Sequence, residues 1–543
     1  MNKSWQGLDP PSLMQHVADR LADGTPWRRY RCRLLTPLYG GGVTAGEIDR
    51  QMPVRATAIR GQLRFWWRLL NRRRPAFCSG GQPDSGKLFA GERALWGGLG
   101  DRDATASQVL LRCEIDSVPE PVAVRVFRPD PKNPGKSIIQ WQEWASPYAL
   151  FPGQGKAGQS AGGTPAAKVI WDKDRDKDRD KDNLRWSVLW TVRAAPDDGG
   201  HAETVRQVEE AFRWWATFGG LGARTRRGLG AFAVTEAAGT QFSYVSADEV
   251  ARAGLQLVLG KPQPDANTAW QEAIEALRAY RQGVGVGRHP PSRGHCSPAG
   301  RSCWPEADAL RRLVGQHADD HPPRHRAGNV FPRAAFGLPI IFHFKDAGEP
   351  ADSVCLPLSG GSTRTRLASP LILRPYPAAS GRWQPAVLKL PDEHVWAMGV
   401  SIEKSKGARS ARVLKGFSAG TWWPAPHSPA LAGALASTPL AGVANDVLDG
   451  FLVFFARRLG VSDATQLDPV EERWEKAQIK FDARNGTVEA RGPDNRSAYA
   501  LQEAGKRIWA TLSPEAQQKI GGGFFRADAR VKGKELLAVE ERR

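Results

Sequence analysis

Between Phe218 and Val234 the chain reads Phe-Gly-Gly-Leu-Gly-Ala-Arg-Thr-Arg-Arg-Gly-Leu-Gly-Ala-Phe-Ala-Val, a glycine cluster joined to an arginine cluster. Gly219, Gly220, Gly222, Gly228 and Gly230 allow positive φ and close approach to a ligand. The planar forks of Arg224, Arg226 and Arg227 suit phosphate oxygens. Arginines packed this closely repel one another unless an anion compensates them. The chemistry is that of a loop laid along a polyanionic backbone, and the plainer alternative is a solvated turn that tolerates glycine.

A second basic set repeats every four residues at Arg60, Arg64, Arg68 and Arg72, opposite the stripe Leu63, Trp66, Trp67 and Leu70. Arg60 lies near the start of the helix this spacing predicts, where a cation opposes the helix dipole. An anion held by Arg60 and the free backbone amides resolves that conflict, whereas an ordinary solvated basic face needs none.

Other chemistries fit less well. Gly220 to Thr225 approaches a dinucleotide fingerprint, but a helix precedes it and a strand follows, the reverse of the required order, and no P-loop spacing is present. No cofactor is implied. Glu47 and Asp49 offer an acidic pair for a metal-dependent endoribonuclease, although surface acids usually mean only solvation. His289, His295, Cys296 and Cys303, with His317, His321 and His325 downstream, could hold zinc, but the six-residue gap between the cysteines matches structural sites poorly. A basic surface with Arg288, Arg293 and Arg301 is the alternative.

The formal net charge is +19 over 543 residues, which points to an acidic partner, nucleic acid before membrane. Met1 to Thr25 is polar, and no apolar run approaches the roughly 18 residues needed to span a bilayer. A soluble, cytoplasmic protein with six scattered free thiols is expected.

The elements that must position these residues follow from periodicity. A short helix is predicted around Leu13 to Leu21, a strand at Tyr30 to Leu34, and a helix from Thr57 to Arg73. An insertion follows with a helix at Lys87 to Trp96, then strands at Gln108 to Asp116 and Val122 to Phe127. Asp172 to Asp182 is a low-complexity repeat of six acids and five bases, a solvated loop. A strand at Leu184 to Val192, a helix through Val205, Val208, Phe212 and Trp215, the basic loop and a strand at Ala231 to Val234 complete an α+β pattern of the ferredoxin-like or RNA-recognition type. Such a sheet can offer one open face to a nucleic-acid strand.

Farther on, helices are expected at Ala247 to Leu259, Thr268 to Arg281 and Ala444 to Leu459. Strands are expected near Ala335 to Phe344, Leu367 to Arg374 and Ala386 to Leu390. The division expected is a first domain over 1–245, a second over 246–460 and a helical C-terminal extension over 461–543.

Thr36-Pro37-Leu38-Tyr39-Gly40-Gly41, Ile59-Arg60-Gly61-Gln62-Leu63-Arg64-Phe65-Trp66-Trp67-Arg68 and the loop 219–230 together resemble the RAMP superfamily of CRISPR-associated proteins. Within it they look like the first-subunit family of the Cmr, type III-B, RNA-targeting complexes. Gly300 to Asp308, Arg333 to Pro339 and Arg366 to Leu371 resemble that family's second domain. The resemblance spans roughly 30–375; the charged repeat and the tail after about 460 depart from it. It implies two tandem ferredoxin-like (RRM-like) RAMP domains with helical insertions, no catalysis, and a place near the 3′ end of guide RNA. There the subunit would touch guide or target RNA and neighbouring Cmr or RAMP subunits. The RNA-contact candidates are Arg60, Gly61, Arg64, Arg68, the loop residues Gly219, Gly220, Gly222, Arg224, Arg226 and Arg227, and Arg301, Arg333, Arg364 and Arg366. Arg311 sits beside them, and Trp304 is a stacking platform or, more in keeping with its type, a core residue.

Overall fold

Alternation along β1 (Arg28–Leu34) sets the geometry of the first half: Tyr30, Cys32 and Leu34 are buried, while arginines occupy the positions between them. The computed structural model describes residues 27–44, 46–100, 104–131, 137–155, 165–171, 183–193, 200–290, 300–325, 328–344, 346–360, 362–378, 381–404, 438–439, 447–460, 471–483, 485–492, 497–532 and 535–541. The predicted helix at Leu13 to Leu21, the repeat 172–182, His295 and Cys296 lie outside these residues. The described cysteines, Cys32, Cys78, Cys113, Cys303 and Cys355, are free thiols.

Two compact units form. The first contains Met1–Leu257, Pro262–Gln271 and Ile372–Gln384; the second contains Val258–Lys261, Glu272–Leu371 and Pro385–Arg543. The expected division into successive segments is therefore corrected: short stretches far along the chain return to the first unit.

In the first unit, helix α1 (Ala56–Asn71), an inserted helix α2 (Ser85–Trp96), β2 (Val109–Ser117), β3 (Arg185–Val192), α3 (His201–Phe218) and β4 (Phe232–Ala237) follow β1. The sheet order is β4-β1-β3-β2, all antiparallel, with Tyr30 opposite Val188 and Ala237. This is the βαββαβ arrangement. Trp66 of α1 meets Trp214 of α3 with ring centroids 6.0 Å apart, and Trp215 meets Phe232 at 4.5 Å. Trp66, Trp67, Trp186, Trp190, Trp214 and Trp215 are all at most 1% exposed. Each buried indole removes roughly 150–250 Å2 from water, about 4–6 kcal/mol of transfer free energy. On the other face of the sheet, Arg29 pairs with Glu114 at 2.8 Å and Arg31 with Glu236 at 3.1 Å, so that face carries its own counter-ions.

In the second unit, helix α4 (Glu306–Val314) precedes a small sheet in which Ser353–Ser359 pairs with Ile340–Phe342 and Gly399–Lys404. The strand expected near Ala335 to Phe344 is confined to Ile340–Phe342: Pro332–Phe336 is a 3-10 turn, and Gly337 follows it at φ 110°. The helix expected over 247–259 ends at Arg252. Gly254 at φ 71° breaks it, and Gln256–Leu259 is a strand. The helix Val447–Arg458 buries Phe451 and Phe455, as its apolar face predicts.

The C-terminal segment corrects the helical extension. Strands β5 (Glu471–Asp482), β6 (Thr487–Arg491), β7 (Ser497–Ala500), β8 (Phe525–Lys532) and β9 (Glu535–Glu540) close into a barrel of order β5-β6-β7-β9-β8. Two helices, α5 (Gln502–Thr511) and α6 (Pro514–Gly521), connect β7 to β8. Every second strand residue points inward, and most are small or β-branched: Ile479, Val488, Ala490, Ala498, Ala500, Ala527, Ala529 and Val531. No described helix is long and apolar enough to cross a membrane.

Candidate nucleic-acid interface

Beyond β1 the segment 36–41 runs along the glycine-arginine loop and is stitched to it. The Gly230 N–H donates to the Pro37 carbonyl at 2.9 Å and the Ala223 N–H to the Tyr39 carbonyl at 2.7 Å. The Thr36 hydroxyl donates to the Gly228 carbonyl at 2.6 Å and accepts from the Ala231 N–H at 2.9 Å. Two motifs separate in sequence thus form one platform. At Gly230 (φ 67°) a Cβ would lie 2.0 Å from the Leu221 carbonyl oxygen, and at Gly222 (φ 73°) it would lie 2.7 Å from that of Tyr39. Glycine is therefore required here for chain-on-chain packing. Gly219 and Gly220 are buried, so the close approach they permit is to protein; Gly222 is exposed.

Two anchors fix the loop from far along the chain. Arg374, 1% exposed, donates to the Gly219 carbonyl at 2.8 Å and the Phe232 carbonyl at 3.3 Å. Burial pulls its pKa down to about 9, which leaves it charged at neutral pH. The Trp270 indole N–H donates to the Arg227 carbonyl at 2.7 Å. Neither residue was singled out in the sequence, because nothing local marks a partner this remote.

Arg224 adopts φ 60°, a left-handed conformation unusual for a side-chain-bearing residue, and begins the turn Thr225–Arg227. The Arg226 guanidinium sits 5.7 Å from the centre of the Phe65 ring, and burial lowers its pKa. Between α1 and the loop lies a cavity of about 180 Å3 lined by Gln62, Phe65, Trp66, Phe218, Thr225 and Arg226 among others. It presents aromatic walls beside a guanidinium.

The α1 stripe has a different fate. Arg60 donates to the Val109 carbonyl at 3.3 Å, and its pKa is lowered by burial and by Arg64 and Arg193. Arg64 reaches Glu92 of α2 at 2.5 Å and Arg68 reaches it at 3.1 Å, with the Glu92 side chain only 1% exposed. The anion that Arg64 and Arg68 meet is thus this buried carboxylate on the inserted helix. Gly61 is exposed on the same helix.

In the second unit Arg301 pairs with Asp308 at 2.6 Å, and Arg311 bridges Asp308 and Glu349, both at 2.8 Å. The Arg333 guanidinium meets Glu306 at 3.1 Å while its N–H donates to the same carboxylate at 2.7 Å. Arg364 and Arg366 are exposed. Trp304 is fully buried against Tyr280, which rules out its use as a stacking platform.

The Asp49 carboxylate accepts from the N–H groups of Gln51 and Met52 at 3.1 and 2.9 Å, shaping a turn. His289 and Cys303 do not form a metal-like cluster among the described residues; burial lowers the pKa of His289 and raises that of Cys303 to about 12. His321, Asp346 and Glu349 lie close enough to share an ion, but Glu349 is already bound to Arg311.

Residues 31–233 match the family model of the RAMP superfamily. Solved structures similar to the chain include Cmr1 from Pyrococcus furiosus in its apo form, at 13% identity over 73% of this chain and 94% of that one, TM-score 0.37. A chain of the type III-B Cmr-beta complex bound to cognate target RNA is 10% identical over 70% and 95% of the two chains, TM-score 0.34. No curated protein matches.

Proposed function

We propose that this chain is a non-catalytic RNA-binding subunit of a type III-B CRISPR–Cas effector complex in antiviral defence, built on tandem ferredoxin-like domains. It contacts guide or target RNA and docks on neighbouring RAMP subunits. The observation that carries this reading is the platform in which 36–41 and 219–230 are hydrogen-bonded together, with Arg224, Arg226 and Arg227 on one turn and Arg226 lining an aromatic cavity. Guanidinium groups on a rigid, glycine-packed loop suit phosphates, and the adjacent Phe65 suits a base. Arg60 extends the basic strip along α1. Arg64, Arg68, Arg301 and Arg333 face protein carboxylates, so their first role is structural.

Phosphate contacts carry little sequence information, so binding is weakly sequence-dependent and steeply salt-dependent. The test is fluorescence anisotropy of a single-stranded RNA across a salt series, with the Arg224/Arg226/Arg227→Ala and →Lys variants beside wild type. The alanine variant is expected to lower the salt slope by about two. The lysine variant keeps the slope and shows that loss of charge, not of folding, is responsible. Coincident wild-type and alanine curves would remove the loop as the RNA site.

A further inference from the structure

The barrel of the second unit has a topology with its own meaning. Its strand order β5-β6-β7-β9-β8, the parallel contact of β7 with β9 at Tyr499 and Glu535, and helices placed between β7 and β8 are the arrangement of an OB-fold. Folds alone do not assign function, so the case rests on the outward residues. Strand register lines them up in two rows across the barrel.

In one row Arg526 of β8 stands opposite Gln478 of β5, which stands opposite Arg491 of β6, which stands opposite Ser497 of β7. In the next, Lys480 of β5 faces Glu489 of β6, and Glu489 faces Tyr499 of β7. Tyr499 is 40% exposed, and Phe524, at the entry to β8, is 46% exposed with the Arg526 guanidinium 5.8 Å from its ring centre. Lys480, Arg491 and Arg526 are exposed, against the half-buried Glu489, whose carboxylate accepts from the Ser497 hydroxyl at 2.7 Å.

From this we infer that the barrel is a second, separate module for single-stranded nucleic acid. Bases stack on Tyr499 and Phe524 while Lys480, Arg491 and Arg526 hold the backbone. Tyr499 and Arg491 lie on the β6-β7 face that OB-folds present to ligands, and Lys480, Arg526 and Phe524 continue from it across β5 and β8. This combination of exposed rings with interleaved cations favours an oligonucleotide over a neutral sugar chain, which brings no charge for the three cations. The inference does not depend on the loop of the first unit.

The experiment uses the full chain carrying Arg224/Arg226/Arg227→Ala, so that the barrel is read alone. Anisotropy is measured with fluorescent oligouridylate and oligothymidylate of about 12 nucleotides, a length one OB-fold can occupy. Retained binding is expected, weakened about tenfold by Tyr499→Ala and preserved by Tyr499→Phe. Lys480/Arg491/Arg526→Ala is expected to lower the salt slope by about two. Circular dichroism confirms that each variant is folded. The RNA and DNA arms distinguish recognition of the 2′-hydroxyl from general single-strand binding. If the barrel variants bind like their parent, or if the chain binds maltoheptaose in place of either oligonucleotide, the inference is overturned. Loss at the loop with no effect at the barrel refutes this inference alone, and the reverse pattern refutes only the loop as RNA site.

Discussion

Two arginine-rich regions look alike in sequence and are treated oppositely by the fold. In the first unit Arg224, Arg226 and Arg227 ride on a loop fixed by backbone hydrogen bonds, Trp270 and Arg374. In the second unit Arg301, Arg311 and Arg333 converge on Asp308, Glu306 and Glu349, carboxylates that are at most 2% exposed. The difference teaches that an arginine in a family-like motif announces a charge without saying what holds it in place, the backbone bonding of its loop in one region and buried carboxylates in the other. Where the neighbouring acids fall on the inner face of a helix, as Glu306 and Asp308 do on α4, the arginines become part of the core.

The sharpest way to break this contrast is to remove the hub. Asp308→Ala leaves two guanidinium groups and the Arg324 and His325 N–H groups without their acceptor, and is expected to cost about 3–5 kcal/mol in chemical denaturation. The affinity of the remaining folded protein for RNA should be unchanged. An Asp308→Ala protein of wild-type stability but weakened RNA binding would collapse the distinction between the regions.

A pH titration sharpens it next. Burial alone would raise the Asp308 pKa, but hydrogen bonds from His325, Arg301 and Arg324 outweigh it and hold the carboxyl at about 2, below its ordinary 3.8. Folding thus weakens proton binding at this site. The resulting stabilisation, about 2 kcal/mol, is complete above pH 4 and is lost as pH falls towards 2. Comparing acid denaturation of wild type with Asp308→Asn, which lacks the titrating group, should show this component only in wild type.

The gentlest probe acts on the loop. Gly230→Ala forces a Cβ against the Leu221 carbonyl at positive φ and should cost roughly 1–3 kcal/mol, with RNA affinity falling because the platform is displaced. Unchanged affinity in anisotropy would mean that the loop's packing does not position its arginines.

Much of the first unit was legible beforehand. The alternating β1, the Leu63, Trp66, Trp67 stripe of α1 and the Val205 to Trp215 spacing of α3 are local patterns, and the observed elements fall on them. Glu92 was hidden for a physical reason. Its role depends on α2 packing beside α1, and a glutamate on an inserted helix carries no local mark of burial. The barrel was hidden because β6 and β7 are only 5 and 4 residues long, too short for alternation to stand out, while helix-forming residues dominate around α5 and α6. Arg301 and Arg333 were visible in the sequence as charge, whereas their pairing with Asp308 and Glu306 is a tertiary fact that no local pattern announces.

The Arg374 anchor also has a consequence in time. Its bond to the Gly219 carbonyl joins residues 155 apart, and the Thr36 bond to Gly228 joins residues 192 apart. During synthesis at about 5–20 residues per second, the loop emerges well before its buried clamp. A nascent chain that has reached Arg227 therefore carries the arginines without the scaffold that aims them. The platform is complete only after residue 374 has been made, so a truncated product ending earlier would lack it.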